Sequence, residues 1–92
     1  MYTVKYTTSF KKNYKLMKRR GLDISLLDTV IDTLRQGKKL DKKYKDHILK
    51  GDFAGFHECH IKPDWLLLYL IEEDILTLTL VDTGSHSDLF NK

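Results

Sequence analysis

The chain has 92 residues, 41% hydrophobic and 11% aromatic, with a single proline; this composition suits one folded domain spanning 1–92 and excludes a disordered tail. A lone cysteine, Cys59, excludes an internal disulfide, the start Met1-Tyr2-Thr3-Val4-Lys5 lacks the apolar core of a secretory signal, and the longest apolar stretch, Trp65 to Ile71, is far short of the roughly 20 residues that span a bilayer. A soluble protein of the reducing cytoplasm is expected. The net charge of +3 conceals an asymmetry: residues 1–50 hold 14 Lys/Arg against 5 Asp/Glu, and residues 51–92 hold 2 against 8. Such a basic half suits a polyanion, an acidic partner protein, or simply a solvated lysine face.

Tyr2, Val4 and Tyr6 alternate with polar residues and predict a short first strand. Thr8 or Ser9 is expected to cap a helix that carries Phe10, Tyr14 and Met17 on one face, lysines elsewhere, and ends at Gly21. Asp23 is expected to cap a second helix with an Ile24, Leu27, Ile31, Leu34 stripe and a stop at Gly37. A lysine-rich connection follows from Lys38 to Lys45. From Phe56 to Lys62 the pattern alternates, with His57, Cys59 and Ile61 on one face and Phe56, Glu58, His60 and Lys62 on the other. Pro63-Asp64 predicts a turn, and Trp65 to Ile71 a central strand covered on both faces. Glu72-Glu73-Asp74 predicts another turn, Ile75 to Val81 a half-buried strand with Leu76, Leu78 and Leu80 inward, and Ser87 to Phe90 a short terminal turn or helix whose Leu89 and Phe90 return to the sheet. The sum is an α+β domain, two N-terminal helices on one face of an antiparallel sheet.

Three of the four histidines, His47, His60 and His86, lie in Tyr44-Lys45-Asp46-His47, His60-Ile61-Lys62-Pro63-Asp64-Trp65 and Thr83-Gly84-Ser85-His86-Ser87-Asp88-Leu89-Phe90, beside turns or strand ends. Imidazole titrates near neutrality, so two such rings can divide the work of RNA cleavage, one removing the 2′-hydroxyl proton and the other protonating the departing 5′ oxygen. Asp46 or Asp64 is placed to support His47 or His60, and Trp65 to stack on a base. Taken singly, a histidine is more often a structural hydrogen-bonding group, and Trp65 a core residue. A metal reading stays open for His57 with Cys59, or for His47, His60 and His86 together, although neither CxxC nor HExxH occurs.

In their joint order and spacing, Lys45-Asp46-His47 with Lys50-Gly51, then Glu58-Cys59-His60-Ile61-Lys62-Pro63-Asp64-Trp65, then Thr83 to Phe90 resemble the YafQ branch of the RelE/ParE toxins of bacterial type II toxin–antitoxin pairs, over nearly the whole chain. The resemblance implies a compact RelE-like α+β fold with a twisted sheet. It implies a toxin, monomeric on its own in the bacterial cytoplasm, that cleaves mRNA, commonly on the ribosome, by acid–base catalysis without a cofactor or metal. Catalysis is implied at His47, His60, Asp64 and His86, with Trp65 and Phe90 placing substrate or supporting the site; Lys50 and Lys62 are further candidates for binding RNA. The implied partner is a cognate antitoxin, through which alone operator DNA is bound. Two positions depart from the family pattern: Asp82 and His57 stand where arginines are frequent. A carboxylate at Asp82 repels phosphate, while Lys50, Lys62 or a protonated His57 would compensate; the alternative is a degenerate or non-catalytic member that binds a protein target, or only antitoxin and operator.

Overall fold

Thr7, not Thr8 or Ser9, caps the first helix: its backbone is extended, and its hydroxyl accepts from the Phe10 N–H in the computed structural model, which describes residues 1–90. The same hydroxyl donates to the Val81 carbonyl at 2.6 Å, so the cap also fastens the helix to the sheet. Helix α1 runs Thr8–Arg19 and helix α2 Ile24–Arg35, the latter capped by Asp23 as expected. Gly21 and Gly37 follow the two helix ends at φ +86° and +77°, the left-handed conformation that costs a residue with a Cβ.

The strands are β1 Thr3–Tyr6, β2 His47–Ile48, β3 His57–Lys62, β4 Trp65–Glu72 and β5 Thr77–Gly84, in the order β1-β5-β4-β3-β2. Four are joined antiparallel, whereas β1 lies parallel to β5, Val4 opposite Leu78, so the sheet is mixed. The helical hairpin between β1 and the later strands allows that parallel return, which a two-residue turn could not. Strand β4 is central, and its first five residues are all buried, as an apolar run with both faces covered requires.

The core lies between helices and sheet: Phe10, Met17, Leu27, Val30 and Leu34 meet Cys59, Ile61, Trp65, Leu67, Tyr69, Leu78 and Leu80. Fully burying one such side chain contributes about 1.5–3 kcal/mol. The last expected strand is displaced: Ile75 belongs to a 3₁₀ turn, Glu73–Ile75, and Leu76 is exposed with φ +47°, so Leu78 and Leu80 alone of the leucine series point inward. Strand β5 then runs on to Gly84, with a bulge where Leu68 opposes Asp82 but Tyr69 opposes Leu80. Bulges re-aim side chains near functional sites.

Candidate active site

Helix α3, His86–Phe90, begins directly after β5 and is built by a reciprocal cap. The Ser85 hydroxyl accepts from the Asp88 N–H at 3.0 Å, and the Asp88 carboxylate accepts from the Ser85 N–H at 2.9 Å. Arg20 adds a two-pronged ion pair to Asp88 at 2.7 and 3.1 Å, tying α3 to the end of α1. His86 is thereby fixed at the first helical position.

The Asp88 carboxyl is held well below the usual carboxylate range, first by the Arg20 guanidinium and then by the Ser85 backbone N–H. A depressed folded-state value means that its stabilisation is complete above the ordinary carboxyl pKa and is lost as pH falls through about 4 and below. In urea unfolding, the stability gap between wild type and Asp88→Asn is therefore expected to be widest near neutrality and to shrink at pH 3; a gap independent of pH would rule the ion pair out as its source.

Gly84 approaches this cap so closely that an added Cβ would lie 2.8 Å from the Asp88 Cβ. Gly84→Ala is expected to displace Asp88 and lower the urea midpoint. A wild-type midpoint would show that α3 does not depend on this contact.

Asp64, in the β3–β4 turn, reaches across to α3. One of its oxygens accepts from the His86 backbone N–H at 2.9 Å and from His86 Nδ1 at 2.6 Å. The backbone hydrogen bond, then the ring hydrogen bond, lowers the Asp64 pKa. With Nδ1 the donor, Nε2 of His86 is the nitrogen left for chemistry, on a ring about half exposed. The expectation that Asp64 or Asp46 supports His47 or His60 is thus replaced, since Asp64 holds His86.

The carboxylate between the other two rings is Glu58. It is 6% exposed, and one oxygen lies 3.3 Å from His47 Nε2 and 3.4 Å from His60 Nε2. The strand register opposes His47 to Glu58, and alternation along β3 brings His60 to the same face. The far nitrogens face carbonyls, Nδ1 of His47 at 2.9 Å from the Lys45 oxygen and Nδ1 of His60 at 3.3 Å from that of Pro63. The ring centroids of His47 and His60 are 6.4 Å apart, and those of His60 and His86 5.8 Å, so the three histidines form one row.

Asp46 stands apart from that row. It accepts from the Tyr69 hydroxyl at 2.5 Å and lies 3.5 Å from His57 Nδ1, while His57 stacks on Tyr69 at 4.8 Å. Burial, then the Asp46 hydrogen bond, raises the Tyr69 pKa, so the phenol remains a donor and anchors the backbone leading into His47. His57 shares the register position of Tyr69, away from Glu58, and so does not replace a missing arginine in the row. Burial pushes the Cys59 thiol up, which disfavours the thiolate that metal binding with His57 would need.

Asp82, the other departure, is occupied: it accepts from Ser9 at 2.9 Å, Asn13 at 2.7 Å and the Thr83 N–H at 2.9 Å. These neutral donors, two on α1 and one on the backbone, hold the carboxylate against the helix. Trp65 is buried, its indole N–H donating to Thr83, and so offers no open face to a base. Phe90 packs edge-on against Phe53 at 5.3 Å, bracing α3 against the 51–56 loop. Lys50 and Lys62 are both exposed, Lys62 two residues beyond His60. Glu58 is the residue that sequence reasoning missed, although its place on the His60 face was visible in the alternation.

The family model of the YafQ toxin, a bacterial toxin of type II toxin–antitoxin systems, matches residues 2–91. The mRNA interferase toxin YafQ of Escherichia coli K12 is 32% identical over 95% of this chain and 94% of its own. A metal-bound toxin from Helicobacter pylori is 46% identical with a TM-score of 0.91, covering 98% of this chain and 100% of that one. The toxin in an E. coli DinJ–YafQ complex is 31% identical with a TM-score of 0.89, covering 98% and 99%. With the α+β fold in common and the family model spanning almost every residue, this chain belongs to the YafQ family of type II toxins.

Proposed function

We propose that this chain is an endoribonuclease that cleaves mRNA by acid–base catalysis, with His86 as general acid, Glu58 as general base, and His47 and His60 holding Glu58 in place between them. The observation that carries the reading is the Asp64–His86 pair at 2.6 Å, set at the end of the His47–Glu58–His60 row. The carboxylate on Nδ1 fixes the ring and leaves Nε2 as the nitrogen that hands a proton to the departing 5′ oxygen. Glu58, held between the two rings, is the carboxylate of the row and takes the 2′-hydroxyl proton. The name of the E. coli relative, mRNA interferase, supports the substrate class.

Translation would be arrested by this cleavage, on the ribosome and in the bacterial cytoplasm, by a single-domain toxin that is monomeric when free. A cognate antitoxin would neutralise it, as the DinJ–YafQ complex suggests by analogy, with operator DNA reached only through that partner. The row of His47, Glu58 and His60 with the Asp64–His86 pair at its end favours this reading over a degenerate, non-catalytic binder. Expressing wild type and His86→Ala in bacteria and mapping mRNA 5′ ends tests it: new ends are expected with wild type only. Absence of new ends in wild type, with translating ribosomes present, would overturn the nuclease reading.

A further inference from the structure

Beside the histidine row opens a cleft of about 380 Å³ lined by Leu26, Lys43, Tyr44, Lys45, His60 and Lys62, among others. Its size is at the lower end of ligand pockets, about 300–1,000 Å³. Two larger clefts carry mixed charge, one with Asp28 and Asp32, the other with Asp41, Asp46 and Glu73. Among the described residues, the charged ones lining this cleft are three lysines and no carboxylate, and His60 is common to this cleft and to the row.

The segment that walls the cleft also positions the row. A 3₁₀ turn, Lys42–Tyr44, is capped by Asp41 and ends at Lys45, which has φ +50°. A side chain is strained in this left-handed region, and the conformation persists where surrounding contacts hold it. The Lys45 carbonyl accepts from His47 Nδ1, while its side chain faces the cleft. Tyr44 is half-buried against the core, with Lys43 Nζ 5.2 Å from its ring centroid. An aromatic ring flanked by cations is the pairing that single-stranded nucleic acid uses, base on ring and phosphate on lysine.

We infer that this cleft is a subsite for one nucleotide flanking the scissile phosphate, with Tyr44 stacking on its base and Lys43, Lys45 and Lys62 holding its phosphates, an inference that rests on the nuclease reading above. The anionic groups of RNA match the charge of the cleft, and His60 at its end puts the neighbouring phosphate within the row.

The test uses short RNA oligonucleotides and the full chain carrying His86→Ala to prevent turnover, with binding measured over a salt series. Added Tyr44→Ala is expected to weaken binding about 5- to 100-fold, the loss of one stacked base, and Tyr44→Trp to restore it. Lys43→Gln with Lys62→Gln changes exposed side chains only and is expected to flatten the slope of log affinity against log salt by about 0.7 per lost phosphate contact. In otherwise wild-type chains, Tyr44→Ala is expected to change which nucleotides flank the mapped cuts. Wild-type affinity, slope and cut sites in these variants, from a toxin that does cleave mRNA, would overturn the subsite and leave the nuclease reading standing. Loss of antitoxin binding in the lysine variant with RNA binding intact would also overturn it, assigning the cleft to the protein partner. No cleavage by wild type would instead sink the reading beneath.

Discussion

Purified His86→Ala is expected to cleave RNA about 10²–10⁴-fold more slowly than wild type, the usual worth of one correctly placed proton transfer. The ring is exposed and contributes no core packing, so stability should be nearly unchanged, which separates this loss from unfolding. A substrate in which sulfur replaces the departing 5′ oxygen distinguishes its role. Sulfur leaves as a thiolate without needing a proton, so an enzyme lacking only its general acid should recover most of its rate. His86→Ala is expected to recover and Glu58→Gln to remain slow on both substrates. If Glu58→Gln recovers and His86→Ala does not, the two assignments are exchanged. The measurement is single-turnover cleavage, with programmed ribosomes where free RNA is not cut.

Periodicity carried much of the fold because burial enforces it. The α1 and α2 stripes, the β3 alternation and the apolar run of β4 all appear where the pattern places them. Features set by pairing between distant segments left no such trace. Strand β2 is two exposed residues, His47 and Ile48, too short for any period, and its existence depends on β3. The parallel return of β1 is decided by where β5 lies, and the Leu68/Tyr69 irregularity by the register of two strands. The site follows the same division. The order of histidine motifs indicated which rings to examine, but the carboxylate that serves each one is a matter of three-dimensional reach: Asp64 crosses 22 residues to His86, while Glu58 serves rings on two strands. Asp82 departs from the family pattern in sequence, while its donors, Ser9 and Asn13, lie some 70 residues earlier and meet it only in the fold.

Trp65→Ala is expected to be the most destabilising of the substitutions considered, by about 3–5 kcal/mol, the range for removing a buried aromatic side chain and leaving a cavity. Trp65 is 3% exposed in the core between helices and sheet. A domain of this size has about 5–15 kcal/mol in all, and each kcal/mol is worth roughly 4–8 °C in Tm, so the variant should melt far below wild type. The effect should reach the site as well. The indole N–H donates to the Thr83 hydroxyl at 3.1 Å, which donates in turn to the Leu66 carbonyl at 2.7 Å, clamping the start of β4 to the end of β5. Asp64 immediately precedes that clamp on one strand, and Ser85-His86 closely follows it on the other, so the 2.6 Å contact between them depends on its alignment. Trp65→Phe keeps most of the packing but removes the donor. It is expected to cost about 1 kcal/mol for the net loss of a hydrogen bond, yet to slow cleavage more than it weakens RNA binding. Thermal melts, RNA affinity and single-turnover rates together decide the matter. If Trp65→Ala instead keeps its Tm while losing RNA affinity, the indole acts by stacking on the substrate, and the buried clamp is not what aligns Asp64 with His86.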